Sequence, residues 1–152
     1  MKINKTELAY MAGILDGEGS VGLYLCKKSY RYPGITVCNT VRELVEPFKK
    51  YFGGSIRLKR RLGKYKSVYI YTSLSSQGVL KIIKLLKPYI RESEKKRRMR
   101  LLQTAIEKGV FVNYMGKLTP RRLKTKQRLE QEFYRYSKKK IKHIYANKDK
   151  ES

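Results

Sequence analysis

The chain has 152 residues, and its 37 Lys or Arg against 12 Asp or Glu give a net charge of +25. That length suits one domain with a real core, and so large a basic excess calls for a polyanionic partner. There is no apolar run of about 18 residues, which excludes a membrane span.

The N-terminal MKINKTELAYMAG has neither a signal-peptide apolar core nor the Arg/Ser character of a transit peptide. Cys26 and Cys38 fit no metal spacing and are expected to be reduced thiols. His143 stands alone in a basic tail, where a metal role is not expected. The expected setting is intracellular: a prokaryotic cytoplasm, or an organelle stroma or matrix.

From Thr6 to Cys26 there is no Lys or Arg. Leu8, Met11, Ala12 and Leu15 fall at i, i+3, i+4 and i+7, the pattern of an amphipathic helix. Asn4 or Thr6 can cap its start, with Glu7 favourable in the first turn. The adjacent small residues Ala12 and Gly13 invite close approach of another helix. Gly17 and Gly19 end the helix, so Asp16 and Glu18 stand at its C-terminus. There the macrodipole disfavours a carboxylate by ~0.3–1 kcal/mol. A hard cation such as Mg²⁺ would relieve the conflict, being bound by carboxylate and backbone oxygens. The same residues also read as a solvent-exposed acidic turn.

A strand follows at once. Val21, Leu23 and Leu25 alternate with Ser20, Gly22, Tyr24, Cys26 and Lys28; the first set is expected to face the core and the second an outer surface. Ser29 to Gly34 supplies turn chemistry, with Arg31 in the turn, either reaching a phosphate or solvated. Ile35 and Val37 continue the apolar face in the returning strand, leaving Tyr30, Tyr32, Thr36 and Cys38 outside. Thr40 and Glu43 form a capping box for a second helix. Its stripe is Val41, Leu44, Val45, Phe48 and Phe52, with Pro47 implying a kink or a late start.

In a second hairpin, Ile56 and Leu58 alternate with Arg57, Lys59 and Arg61, and Val68 and Ile70 alternate with Ser67, Tyr69 and Tyr71. Leu62-Gly63-Lys64 is the turn. The basic and tyrosine face of this hairpin suits base-edge and phosphate contacts, or is simply solvated. Ser75 or Ser76 opens a third helix that ends before Pro88, and a fourth runs from about Ser93 to Gly109. Thr119-Pro120 opens a fifth, basic helix through about Ser137. Residues 1–137 are thus expected to form one domain including that helix, and 138–152 a charged tail that grips phosphates or is merely solvated.

Met11-Ala12-Gly13-Ile14-Leu15-Asp16-Gly17-Glu18-Gly19 resembles the nine-residue signature of the LAGLIDADG homing endonucleases. Ala12, Gly13, Asp16 and Gly19 match it letter for letter, and Glu18 replaces its second aspartate. The motif occurs once, and single-motif chains of that family are homodimers whose motif helices pack at the twofold axis. The resemblance covers Leu8 to about Leu102. It implies an α+β fold with an αββαββα core, whose four-stranded antiparallel saddle sheet has helices on one face and extra C-terminal helices.

The resemblance also implies roles. Glu18 would bind the metal, with the Gly19 carbonyl as a further ligand. Asn39 would organise water, and Lys95 (or Lys96) would stand near the scissile phosphate, with Arg42 in the same shell. Met11, Ala12, Gly13 and Asp16 would lie at the dimer interface, with Asp16 stabilising the helix end. The outward strand residues would read DNA. The implied activity is site-specific double-strand cleavage of a long pseudo-palindromic DNA, dependent on Mg²⁺ with Mn²⁺ as a substitute, by an intron-encoded enzyme. Two alternatives share the scaffold: a maturase bound to its own intron RNA, and a non-catalytic DNA-binding regulator.

Overall fold

The computed structural model of the chain describes residues 3–26, 30–63, 65–111 and 118–135. Helix α1 (Lys5–Glu18) leads into strands β1 (Gly19–Cys26) and β2 (Tyr30–Asn39). After a single 3₁₀ turn come α2 (Glu46–Phe52), β3 (Ser55–Lys59) and β4 (Val68–Ser73). Helices α3 (Ser76–Leu86), α4 (Ser93–Glu107) and α5 (Pro120–Tyr134) complete the described chain. The αββαββα order is as the sequence implies.

The caps are largely those the sequence announces. The Asn4 side chain accepts from Glu7 N–H at 2.7 Å, Ser75 Oγ from Gly78 N–H, and Thr119 Oγ1 from Arg122 N–H. The Thr40 capping box does not form. Asn39 Oδ1 accepts from Val41 N–H instead, a 3₁₀ turn covers Arg42–Leu44, and α2 starts late, with Pro47 in its first turn. Val41 is therefore exposed rather than buried. Helix α4 is capped by Glu92, whose carboxylate accepts from Glu94 and Lys95 N–H.

The four strands form one antiparallel sheet in the order β1-β2-β4-β3. One face carries Val21, Leu23, Ile35, Val37 and Tyr71 and lies under the helices. Helix α1 buries Leu8, Met11, Ala12 and Leu15 in this core. Each large side chain among them contributes on the order of 1.5–3 kcal/mol.

Two strand assignments need correction. Val37 pairs with Tyr71 and Asn39 with Tyr69, which puts both tyrosines on the helix side. Tyr71 is fully buried, its ring 5.4 Å from that of Phe48. The outward residues of β4 are instead Ile70, opposite Cys38, and Thr72, opposite Thr36. The physical reason is volume: two aromatic rings fill the space beneath α2 that Ile70 would leave empty.

Arg31 is the second correction. It lies within β2 rather than in a turn, and its guanidinium donates to Tyr134 Oη at 2.9 Å and stacks on that ring at 5.1 Å. Tyr134 in turn donates to the Leu23 carbonyl. Arg31 thus anchors α5 to the helix side of the hairpin.

Candidate nucleic-acid and metal site

Helix α1 passes into β1 without a loop. Gly19 caps the helix, its N–H donating to the Leu15 carbonyl. A Cβ on Gly19 would collide with that carbonyl and with the Leu15 side chain. The junction fixes Glu18 at the rim where the helix meets the sheet. Its side chain is exposed, and no described residue hydrogen-bonds or ion-pairs with it.

The two carboxylates at this helix end have different fates. Asp16 is half-buried and accepts from Arg91 N–H at 2.7 Å and, more weakly, from Glu92 N–H at 3.4 Å. These amides lead into the start of α4, so the positive end of that helix compensates the negative end of α1. Lys95, in the first turn of α4, donates its ammonium to the Asp16 carbonyl. The helix-end conflict seen in the sequence is thus resolved for Asp16 within the chain, and left open for Glu18. Asp16 thus links α1 to α4.

Asn39 joins this corner through the sheet. Gly19 pairs with Val37, so Asn39, two residues on, stands at the same end of the sheet as Glu18. Arg42 is engaged elsewhere, in an exposed pair with Glu46 at 2.7 Å. That pair is weak and would have to open before Arg42 could meet a phosphate. Lys96 is exposed on α4, and its side chain has no partner among the described residues.

The dimer-interface residues also divide. Met11 and Ala12 are fully buried in the chain's own core and are therefore unavailable to a partner. The exposed side of α1 carries Thr6, Ala9, Tyr10, Gly13 and Gly17. A Cβ on Gly13 or Gly17 would meet nothing within 4 Å. Small residues do line this helix, but on the face opposite Ala12.

The outer face of the sheet presents Gly22, Tyr24, Tyr32, Thr36 and Cys38 from β1 and β2, and Ser55, Arg57 and Lys59 from β3. Arg61 and Ser67 lie just beyond the strand ends, Arg61 exposed and Ser67 half-buried. Lys28, the side chains of Cys26 and Tyr30, and the 138–152 tail lie outside the described residues. Ser20 shares the outer face as expected, and Ile70 and Thr72 share it too, missed by sequence reading because the face of β4 is shifted.

Not all the α4 cations are free for a ligand. Arg97 and Arg98 both bond Glu94, holding its carboxyl down at about 2. Arg97 also donates to the Glu132 and Phe133 carbonyls at the end of α5, and Arg98 to the Val21 carbonyl. This network staples α5 and β1 to α4. Among the described residues no group of three or more His, Cys, Asp or Glu could hold a metal ion. At this corner Glu18 stands as a carboxylate without a partner among the described residues, and its oxygens suit a hard cation.

No family model and no curated protein matches the sequence. The fold does have counterparts among solved structures. An archaeal intron-encoded homing endonuclease, I-Vdi141I, complexed with DNA, superposes with a TM-score of 0.59 at 19% identity, covering 88% of this chain and 83% of that one. The homing endonuclease I-CvuI, bound to uncleaved target DNA with Mg²⁺, gives 0.56 at 20% identity over 68% of both chains. The LAGLIDADG meganuclease I-AabMI, bound to uncleaved DNA, gives 0.52 at 26% identity. It covers 69% of this chain but only 36% of its own length.

The chain shares the fold of these homing endonucleases, a LAGLIDADG meganuclease among them. The signature residues Met11–Gly19 occupy the last turns of α1 and its junction with β1. In this chain the motif-like segment has three separate duties. Met11, Ala12 and Leu15 pack the core, Asp16 docks α4, and Gly19 opens the strand. Glu18 is the motif acid that none of these duties uses.

Proposed function

We propose that this chain is a site-specific DNA endonuclease that acts as a homodimer on a long pseudo-palindromic duplex, with Mg²⁺ as its cation. The observation that carries the reading is Glu18: an exposed carboxylate with no partner, at the rim of the sheet, with Lys95 and Asn39 at the same corner. Structures of similar fold are complexed with DNA, which supports DNA as the partner.

A second copy follows from the chemistry. One carboxylate binds a divalent ion poorly, whereas two brought together across a twofold axis form a usable donor set. The exposed stripe of Ala9, Gly13 and Gly17 supports close packing of two α1 helices. Glu18 and the Gly19 carbonyl would hold the cation, which when bound supplies Lewis-acid stabilisation and an acidified water. Lys95 stabilises charge that builds on the phosphate, and the Asn39 amide orients the attacking water. Thr36, Thr72, Arg57 and Lys59 meet base edges and phosphates in the major groove. A twofold dimer reads a pseudo-palindrome. Residues 1–137 act here as one endonuclease domain.

The test is cleavage selection on a library of long pseudo-palindromic duplexes, with Mg²⁺ and with Ca²⁺, for wild type and Glu18→Gln. Double-strand cuts at one long site, made only by wild type with Mg²⁺, establish the reading. Specific retention without cutting makes the chain a regulator. RNA bound more tightly than any duplex at matched salt makes it a maturase.

A further inference from the structure

The outer face of the β1–β2 hairpin is not uniformly polar. At its middle, Gly22 and Gly34 face each other across the strands, and the ring of Tyr24 lies over them. A Cβ on Gly34 would overlap that ring, and one on Gly22 would stand 3.2 Å from Tyr24 Cε2. The far end of the ring is pinned as well, for Tyr24 Oη and Thr36 Oγ1 are 3.1 Å apart and share a hydrogen bond. Tyr24 therefore lies along the sheet as a fixed plate, with its hydroxyl already used.

Leu74 borders the plate from the other side. It follows β4, its Cδ2 would be 2.8 Å from a Cβ on Gly34, and it is 48% exposed. A half-exposed leucine adds little to the core. With the Tyr24 ring it forms an apolar patch on a face that also carries Tyr32, Cys38 and Ile70 beside the polar Ser20, Thr36, Ser55, Arg57, Lys59 and Thr72. Hydrogen-bonding groups dominate the base edges of a major groove. The apolar group there is the 5-methyl of a pyrimidine, in ordinary DNA that of thymine.

We propose that Tyr24 and Leu74 form a specificity element that recognises a pyrimidine 5-methyl group by apolar contact, an inference resting on the DNA reading above. The ring supplies a flat surface at fixed height, and Leu74 supplies the flank that encloses the methyl. Thr36 acts through Tyr24, as the residue that holds the plate down.

The test is uracil-for-thymine scanning of the selected target, with dissociation constants measured in Ca²⁺ for wild type, Tyr24→Phe and Leu74→Ser. Uracil removes the methyl group and leaves the Watson–Crick pair intact. In wild type, one symmetry-related pair of positions is expected to lose about fourfold in affinity per half-site, the effect of one buried methyl. Tyr24→Phe keeps the ring but removes its tether to Thr36, so that sensitivity is expected to weaken, and Leu74→Ser abolishes it. Should the selected base there be cytosine, tighter binding on 5-methylation identifies the methyl source as 5-methylcytosine. Specific binding by wild type with no sensitive position, or sensitivity that persists in Leu74→Ser, overturns the proposal. Failure to select any duplex at all overturns the DNA reading beneath it, and is seen before the scan begins.

Discussion

The Lys95 ammonium donates to the main-chain carbonyl of Asp16, two residues before Glu18. The link is closed by its neighbours. The Asp16 carboxylate receives Arg91 and Glu92 N–H, and the Glu92 carboxylate receives Glu94 and Lys95 N–H. A ring of hydrogen bonds thus joins the end of α1 to the start of α4 and sets one basic group beside one free acid. The position of Lys95 depends on Asp16 as much as on its own helix.

Asp16→Ala should therefore do two things. It leaves Arg91 and Glu92 N–H without their acceptor and destabilises the chain by roughly 1–3 kcal/mol, read as a fall in urea midpoint. It should also lower kcat for cleavage more than it raises KM, because the start of α4 that carries Lys95 loses its side-chain dock on α1 while the DNA face is untouched. Asp16→Asn keeps an acceptor for one of the two amides and should recover most of the stability. A kcat unchanged in Asp16→Ala would remove Asp16 from the positioning of Lys95.

Acid should loosen α5 through Glu94. Its carboxyl is held at about 2, against 4.5 for the unperturbed group, chiefly by the hydrogen bond from Arg97, with Arg98 adding to it. A carboxyl with a depressed folded-state pKa adds stability above its unfolded pKa and loses it as pH falls through the folded one. The contribution of Glu94 is thus complete above about pH 5 and fades toward pH 2. Wild type should lose thermal stability over that window faster than Glu94→Gln does. Parallel Tm-versus-pH curves for the two proteins would refute the assignment.

Much of this arrangement was legible in the sequence, and the losses have physical causes. Asn4, Ser75, Thr119 and Pro120 announce their helices because capping is local chemistry. The motif announces its corner because its glycines and acids are close in the chain. Strand β4, VYIYTS, is ambiguous because Val68, Tyr69, Ile70 and Tyr71 put bulky apolar side chains on both faces. Only pairing to β2, thirty or so residues away, decides which face is inner. Arg31 was misplaced for the same kind of reason: its partner Tyr134 lies 103 residues away, and no local pattern encodes it. The tie from Asp16 to α4 was not legible because it runs to the backbone amides of Arg91 and Glu92, which leave no side-chain signature.

The corrected register makes its own prediction about β3 and β4. Arg57 and Lys59 project outward, whereas Tyr71 is buried and its hydroxyl is pushed up to about 12 by desolvation. Each neutralised cation should reduce the slope of log K against log salt by about one if it meets a phosphate. Arg57→Gln with Lys59→Gln should thus flatten the slope by about two per subunit. Tyr71→Phe should leave DNA affinity unchanged, since that side chain is out of reach. A loss of affinity in Tyr71→Phe without loss of folding would return β4 to the opposite register.

Gly13 separates the fold of one chain from the assembly of two. It sits in mid-helix on the exposed side of α1, where a side chain meets nothing within 4 Å. Glycine in a helix interior costs ~1 kcal/mol relative to alanine, and leucine is nearly as good a helix former as alanine. Gly13→Leu should therefore raise the Tm of the isolated chain. The same side chain would hold two α1 helices apart, because close approach requires an interface without bulk at the contact. Sedimentation should then show a stable monomer that no longer cuts, its two Glu18 carboxylates never brought together. The opposite signs on stability and activity distinguish this from simple damage to the fold. A Gly13→Leu protein that remains dimeric and cleaves would place the subunit interface on some other surface.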